Sequence, residues 1–370
     1  MRVLTLNAGS RSHKAMLYAV DEPAPLDPPD ALWERSVEAG HEDFGDLLDR
    51  FDGEPPDAIG HRVVHPGPVY AGRASARIDD DVIAAIEAAV PLASSHNPLA
   101  LEGIAAARKR FGDGVPHVAA FDTALGDDAP AYATTCAVPL AWRERFGVRR
   151  YGFHGVSQRD VIDRIDAAFG ADAGRRTISL HLGNGASGSA FAGRRIVETT
   201  MGMTPLEGLV MGERAGSIDP GTLLVLLDRD GLSTSEVRHG LSKESGLLGL
   251  SGVSADTREI VAAIAGGDDR ANFALDYYAY RVRWHVGALA AVLGGVDLLA
   301  FTGPVGSNSS EVRRRVCTGL EHLGIVLDDA KNAANVHDAD VSVTPASARI
   351  VVVPTLEEWA IARIAARQLR

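Results

Sequence analysis

One strand-turn-strand pattern occurs twice in this chain, and it constrains the fold more than any other feature. Arg2 to Leu6 is a short β-rich run that meets the polar turn Asn7-Ala8-Gly9-Ser10-Arg11-Ser12 and resumes as an apolar run from Ala15 to Val20. Thr177 to Leu182 is a second such run, followed by Gly183-Asn184-Gly185-Ala186-Ser187-Gly188-Ser189 and then Ala190-Phe191-Ala192-Gly193. Each reads as strand, turn, strand. A unit used twice predicts two related α/β lobes facing each other across a cleft. The chain has 370 residues, 46% of them apolar, more than a single core usually supports, so two buried cores are expected.

Helix signals follow the strands. Asn97-Pro98 predicts a capped helix to about Phe111. Ser157 with Asp160, and Asp219 with Pro220, predict two more starts. Asn272 to Leu293 is a long helical pattern ending at Gly294-Gly295. The strand Val296 to Phe301 should enter a third glycine turn, Thr302 to Asn308, before a helix capped by Asn308 with Glu311. Arg349 to Val353 reads as a strand, with a helix from Thr355 onward.

The formal charge of −12 and the lack of a Lys/Arg cluster argue against a nucleic-acid partner, which needs a basic surface. An anionic ligand must then be held by a local positive site. Cys136 and Cys317 are the only cysteines. Their spacing excludes a disulfide framework or thiolate metal site, fits a reducing cytoplasm, and predicts two small core residues. The N-terminal apolar run is too short for a signal peptide, and Gly294, Gly295 and Asp297 break the run Val286 to Val305. A soluble cytoplasmic protein with no membrane partner is expected.

The first turn offers consecutive backbone N–H groups, hydroxyls and the Lys14 ammonium, which suit a phosphate chain. A lone hairpin turn carries little weight, whereas two equivalent turns can grip one nucleotide from both lobes. Arg62, in Gly60-His61-Arg62-Val63-Val64-His65, could meet a carboxylate or simply end a strand. His96 precedes a helix N-terminus, a place that favours anions, and could equally be inert. Asp122 ends the apolar run Val118-Ala119-Ala120-Phe121, either as a cap or as a Mg2+ partner through water. Glycines flank His154, and Arg214 lies in the loop Met211 to Gly216, where a solvated arginine is the plain alternative. Thr355 with Glu358 reads as a capping box, which leaves Glu357 as the freer ligand candidate.

Together these motifs resemble the acetate kinase family, within the acetate and sugar kinase, Hsp70 and actin superfamily. The resemblance runs nearly end to end through Asn7-Ala8-Gly9-Ser10, Gly60 to His65, His96-Asn97-Pro98, Phe121-Asp122-Thr123-Ala124, Arg149 to Gly155, His181 to Ser187, Thr204 to Leu209 and Ser245 to Gly249. It implies an α/β fold of two duplicated ribonuclease H-like (actin-like ATPase) lobes around a cleft. One lobe would be residues 1–150 plus 356–370, the other 151–355. Arg62 would bind the substrate carboxylate, with Val64, Phe153 and Pro205 around its alkyl tail. Asp122, His154, Arg214 and His96 would form the catalytic set, with Asn7 and Glu357 beside Mg2+, for which Mn2+ could substitute. Ser10, Ser12, Lys14, His181, Gly183, Asn184 and Gly185 would hold ATP or ADP phosphates. Asp256, Thr257 and Arg258 would border the adenosine, as would Pro304, Val305, Gly306 and Asn308. The family also implies a homodimer through the second lobe.

The chain departs from the family pattern at several points. Arg11 and His13 interrupt the first turn, His65-Pro66-Gly67 replaces His-Gly-Gly, and Ser95 replaces an apolar residue. Pro304 removes an N–H from the third turn. Propionate or another small acid is the alternative substrate, and a non-catalytic actin-like nucleotide binder is the alternative class. Retention of Arg62, Asp122, His154, Arg214 and Glu357 together argues against that class.

Overall fold

The computed structural model describes residues 1–9, 12–38, 42–112, 114–170, 174–344 and 348–370. Its first sheet holds β1 (Arg2–Ala8), β2 (Ser12–Ala19), β3 (Trp33–Glu38), β4 (Ala58–Val63), β5 (Ser75–Arg77) and β6 (His117–Phe121), in the order β3-β2-β1-β4-β6-β5. The second holds β7 (Arg176–Leu182), β8 (Ala186–Ala192), β9 (Arg195–Thr199), β10 (Leu298–Thr302), β11 (Ala339–Asp340) and β12 (Arg349–Val352), in the order β11-β12-β10-β7-β8-β9. The orders are the same when the second is read from its β9 edge. Each sheet is an antiparallel meander of three strands, then two parallel strands, then an antiparallel edge strand. The duplication read from two short turns therefore extends through all twelve strands.

The central strands read as continuous apolar runs because helices cover both faces. All six residues of β4 are buried. Leu4, Leu17 and Ile59 pack with Phe44, Leu47 and Ala107 on one face, while Val3, Tyr18 and Val118 pack with Trp359 and Ala362 on the other. The alternation of Val3 and Leu4 between the two cores is the period of two of a strand. At Gly60 a Cβ would lie 2.8 Å from Ile361 Cγ2, so the missing side chain lets the C-terminal helix Glu357–Gln368 cross β4 closely. In the second sheet Ile178 and Leu180 face the long helix Asp269–Leu293, and Leu298 and Ala300 face Val161 and Ile165 of the helix Gly155–Phe169. The helices Gly155–Phe169 and Glu357–Gln368 are joined by Arg363 donating to Asp160 at 2.8 Å.

Several expected helix starts are displaced. Asn97 is the first residue of its helix and not the cap. Its side chain accepts from His65 N–H at 3.1 Å and donates to the carbonyls of His65 and Ile86, while His96 occupies the cap position. Ser157 and Asp160 lie inside a helix that begins at Gly155, and each is engaged in tertiary bonding. The third glycine turn is instead the short helix Gly303–Asn308, and the next helix is capped by Ser309, whose side chain accepts from Val312 N–H. Thr355 and Glu358 form no capping box, because the Thr355 hydroxyl accepts from Gly303 N–H at 2.9 Å and the cap position is Leu356. Cys317 is buried as expected, and Cys136 is only partly so. No helix among the described residues is long and apolar enough to cross a membrane.

Burial keeps several imidazoles neutral. His65 is fully buried, its Nδ1 accepts from Gly67 N–H at 3.0 Å, and burial pushes its pKa down to about 4. The unfolded imidazole binds its proton near its ordinary value of about 6.5. Between those values the unfolded chain binds more protons, so stability present at neutral pH is lost as the pH falls. From about pH 7.5 to about pH 5.5, His65 alone accounts for a loss of about 1 kcal/mol. Urea denaturation across that range should show the His65→Gln variant losing stability less steeply than the parent; parallel slopes would contradict the assignment.

Candidate active site

A cleft of about 1000 Å³ lies where the turn ends of the two sheets meet. Its chemistry begins with two adjacent parallel strands. β4 and β6 end at the same level, with Val63 paired to Phe121, so Arg62 and Asp122 emerge side by side at carboxyl ends of strands, where α/β sheets place ligands. Arg62 Nη2 donates to Asp122 Oδ2 at 2.7 Å, and Asp122 Oδ1 accepts from Val156 N–H at 3.4 Å. Both residues are buried. Asp122 is therefore held behind Arg62, at a helix N-terminus, and does not line the cleft. Burial pushes the Asp122 carboxyl up, and the Arg62 charge opposes this. Burial likewise disfavours the Arg62 charge, but Asp122 and Glu357 outweigh it and hold the guanidinium protonated. Arg62 itself lines the cleft, while its Nε is buried without a hydrogen-bond partner.

His154 owes its position to the glycines around it. The Gly155 N–H donates to the Asp122 carbonyl at 2.8 Å, and a Cβ on Gly155 would lie 2.2 Å from the Thr123 carbonyl oxygen. This close docking leaves His154 with a left-handed φ of 60°, strained for a residue with a side chain. Its Nδ1 bonds Ser187 Oγ at 2.9 Å and its ring stacks on His181 at 4.2 Å. His181 Nδ1 in turn bonds Ser157 Oγ at 2.9 Å. Burial pushes both imidazoles down, His181 to about 4, and neighbouring cations lower His154 further. Both are neutral at physiological pH.

Arg214 approaches from the second lobe. Its Nη1 donates to the Pro205 carbonyl at 3.0 Å, and burial lowers its pKa to about 10, still protonated at neutral pH. A Cβ on Gly185 would lie 3.2 Å from His154 Nε2 and 3.4 Å from Arg214 Nη2. The space left by this glycine is therefore where an imidazole and a guanidinium converge.

The first turn is tied to the C-terminal helix. Asn7 Nδ2 donates to Glu357 Oε2 at 3.1 Å and to Glu358 Oε1 at 3.2 Å, and Lys14 Nζ pairs with Glu358 Oε1 at 3.1 Å. Burial would raise Glu357, but Arg62, His181, Asn7 and Lys14 together hold it below the usual carboxylate range. Ser12 and His96 also line the cleft. On the second lobe Gly183 and Asn184 join them. Asp256 caps the helix Thr257–Ala265, and Arg258 folds back onto it at 2.7 Å. Pro304, Val305 and Asn308 close the far wall.

Some expected residues stand apart. Val64 and Phe153 are packed into the second core, and Gly306 is buried beneath the wall. Pro205 lines a second cavity of about 60 Å³ that shares His96, Asn184 and Arg214 with the cleft. Ser10, expected at the phosphates, lies outside the described residues, as does Arg11. Sequence reasoning missed Glu358, hidden by the capping-box reading, and Ser157 and Ser187, which carry no spacing signal. Glu311 and His337, also on the cleft wall, were missed too.

Comparison with known proteins agrees with this geometry. The model of the Acetokinase family matches residues 52–363. An acetate kinase of Gloeobacter violaceus is 40% identical over 407 aligned positions, covering 100% of both chains, and one of Methanosarcina acetivorans is 44% identical over 308, covering 83% of this chain and 75% of the relative. The crystal structure of Porphyromonas gingivalis acetate kinase superposes with a TM-score of 0.86 at 37% identity, covering 100% of both chains. A propionate kinase from Francisella tularensis gives the same TM-score, 0.86, at 31% identity, with 99% of each covered. A buried arginine at paired strand ends, converging histidine and arginine, two equivalent turns and this end-to-end similarity lead to one conclusion: the chain belongs to the acetokinase family.

Proposed function

We propose that this protein is an acetate kinase, transferring the γ-phosphoryl group of ATP reversibly to acetate to give acetyl phosphate and ADP. The observation that carries the reading is Arg62, a guanidinium on the cleft wall that Asp122 fixes through Nη2. A carboxylate fits that fork. Propionate is the nearest alternative acceptor, in line with the propionate kinase among the similar structures.

The acceptor is ionised at neutral pH and needs no general base. Its oxygen bonds to the γ-phosphorus as the bond to the β-phosphate oxygen breaks, and that electron pair leaves with ADP, so no proton moves. The protein's task is alignment and charge neutralisation. Arg62 orients the carboxylate and Asp122 orients Arg62. Neutral His154 can donate an N–H, and Arg214 contributes positive charge, at the point left open by Gly185. His96 lines the same cleft. Ser12, Lys14 and the turn Gly183 to Gly185 are assigned to the phosphates. Asp256 to Arg258, with Pro304, Val305 and Asn308, are assigned to the adenosine.

Among the described residues no cage of three His, Cys, Asp or Glu side chains exists. Asn7 Oδ1, buried without a partner, beside the Glu357 carboxylate, nevertheless suits a Mg2+ ion that keeps its water and phosphate ligands. Bound there, Mg2+ would neutralise charge on the phosphate oxygens. We assign the lobes to residues 1–150 plus 356–370 and to 151–355, in a cytoplasmic protein. Phe273, Tyr277, Tyr280 and Trp284 form an exposed aromatic stripe along the helix Asp269–Leu293, and this supports a homodimer through the second lobe.

Protein, Mg-ATP and acetate incubated with hydroxylamine should yield acetyl hydroxamate; bound ATP with no hydroxamate from any small acid would refute the reading. In the same assay Arg62→Ala should lower kcat/KM by about 10²–10³-fold, and near-native values would remove Arg62 from the carboxylate site. The Gly185→Ala variant, at a backbone conformation open to alanine, should keep its melting temperature and lose about 10²-fold in kcat. Unchanged kcat would show that the reacting group does not occupy that space.

A further inference from the structure

Acetate does not account for the second cavity. Its volume of about 60 Å³ leaves room for about four water-sized groups, whereas acetate extends only a methyl beyond its carboxylate. Three residues, His96, Asn184 and Arg214, separate it from the cleft by lining both. Pro205, bonded through its carbonyl to Arg214, forms part of the same wall.

The remaining lining combines an apolar part, Pro91, Leu92, Ala93 and Leu206, with polar and positively charged residues. Ser94, Ser95 and Ser242 present hydroxyls, and Arg238 and Lys243 present cations. Lys243 has Glu213 at 3.8 Å, the one carboxylate on this wall, against the three cations Arg214, Arg238 and Lys243. Arg238 is exposed and has no carboxylate partner among the described residues. His96, buried to all but 9% of its surface, makes no capping bond to the helix it precedes. Burial, then Arg214, Arg62 and Lys243, hold it neutral. An uncharged imidazole thus stands between the cleft and the cavity, where its single N–H can donate to an oxygen on one side or the other.

We propose that this cavity is a subsite for an oxygen-bearing tail, so that the enzyme phosphorylates short hydroxy acids and dicarboxylic acids as well as acetate. The inference rests on the acyl-phosphate reading above. The transfer itself is unchanged, with the carboxylate on Arg62 displacing ADP from the γ-phosphorus. The tail passes Pro205 and His96 toward the serines and Arg238, and takes no part in bond breaking.

The test compares kcat/KM by hydroxamate formation for acids matched in length: 3-hydroxypropionate against butyrate, and succinate against pentanoate, with acetate as reference. The polar member of each pair should be preferred by about tenfold. Arg238→Gln should bring the succinate/pentanoate ratio toward unity, and Ser95→Leu should do the same for the hydroxy acid. Acetate turnover with the apolar member preferred, or ratios unmoved by both substitutions, would overturn the subsite and leave the kinase reading intact. No turnover with acetate but turnover with the polar acids would overturn the acetate assignment and uphold the subsite. No turnover with any acid would remove both.

Discussion

The buried ion pair between Arg62 and Asp122 is the interaction on which the site depends. Two charges taken out of water are expensive, and removing one partner typically costs about 3–5 kcal/mol because the other is left buried alone. The fold meets this constraint with geometry. Parallel strands ending together set the two side chains side by side, and the helix beginning at Gly155 brings a backbone N–H to the second carboxylate oxygen. The pair is satisfied on the Asp122 side and incomplete on the Arg62 side. A guanidinium held in that way is pre-organised for a carboxylate, since its orientation is fixed before ligand arrives.

Duplication supplies the rest. Each sheet delivers one turn to the cleft, and the two central helices, beginning at Gly155 and Glu357, start there as well. Helix N-termini favour anions, so the cleft is suited to phosphates although the chain as a whole carries a formal charge of −12. The two halves have diverged in what supports their turns. The first turn is tied through Asn7 and Lys14 to Glu357 and Glu358 of the C-terminal helix, whereas the second packs against Pro304, with 3.2 Å between the site of a Gly183 Cβ and Pro304 Cδ. A proline there occupies the first turn of a short helix, where no intrahelical partner for its N–H is lost.

The strands and the two turns were legible because apolar runs punctuated by glycine survive as local signals. Arg62, His154 and Arg214 were legible as candidates because each lies in a short glycine-punctuated motif, although a strand end and a solvated arginine were the plain alternatives for the two arginines. Helix starts were less so. Asn97, Ser157 and Thr355 look like caps in sequence, yet each spends its side chain on a tertiary bond, to His65, His181 and Gly303 respectively. Local capping competes with such bonds, and sequence spacing alone cannot decide between them. Glu358 was misassigned for the same reason, because its partners Asn7 and Lys14 lie about 350 residues away in the chain.

The central claim is that the carboxylate sits on Arg62 and the phosphoryl group passes through the space beside Gly185. A crystal structure with Mg-ADP, acetate and a planar metal fluoride in place of the phosphoryl group tests it directly. The account predicts acetate oxygens on the Arg62 fork, with the fluoride in line between acetate and ADP and within hydrogen-bond reach of His154 Nε2 and Arg214. Acetate bound elsewhere with Arg62 still engaged by Asp122 alone, or a fluoride group out of reach of both His154 and Arg214, would contradict it.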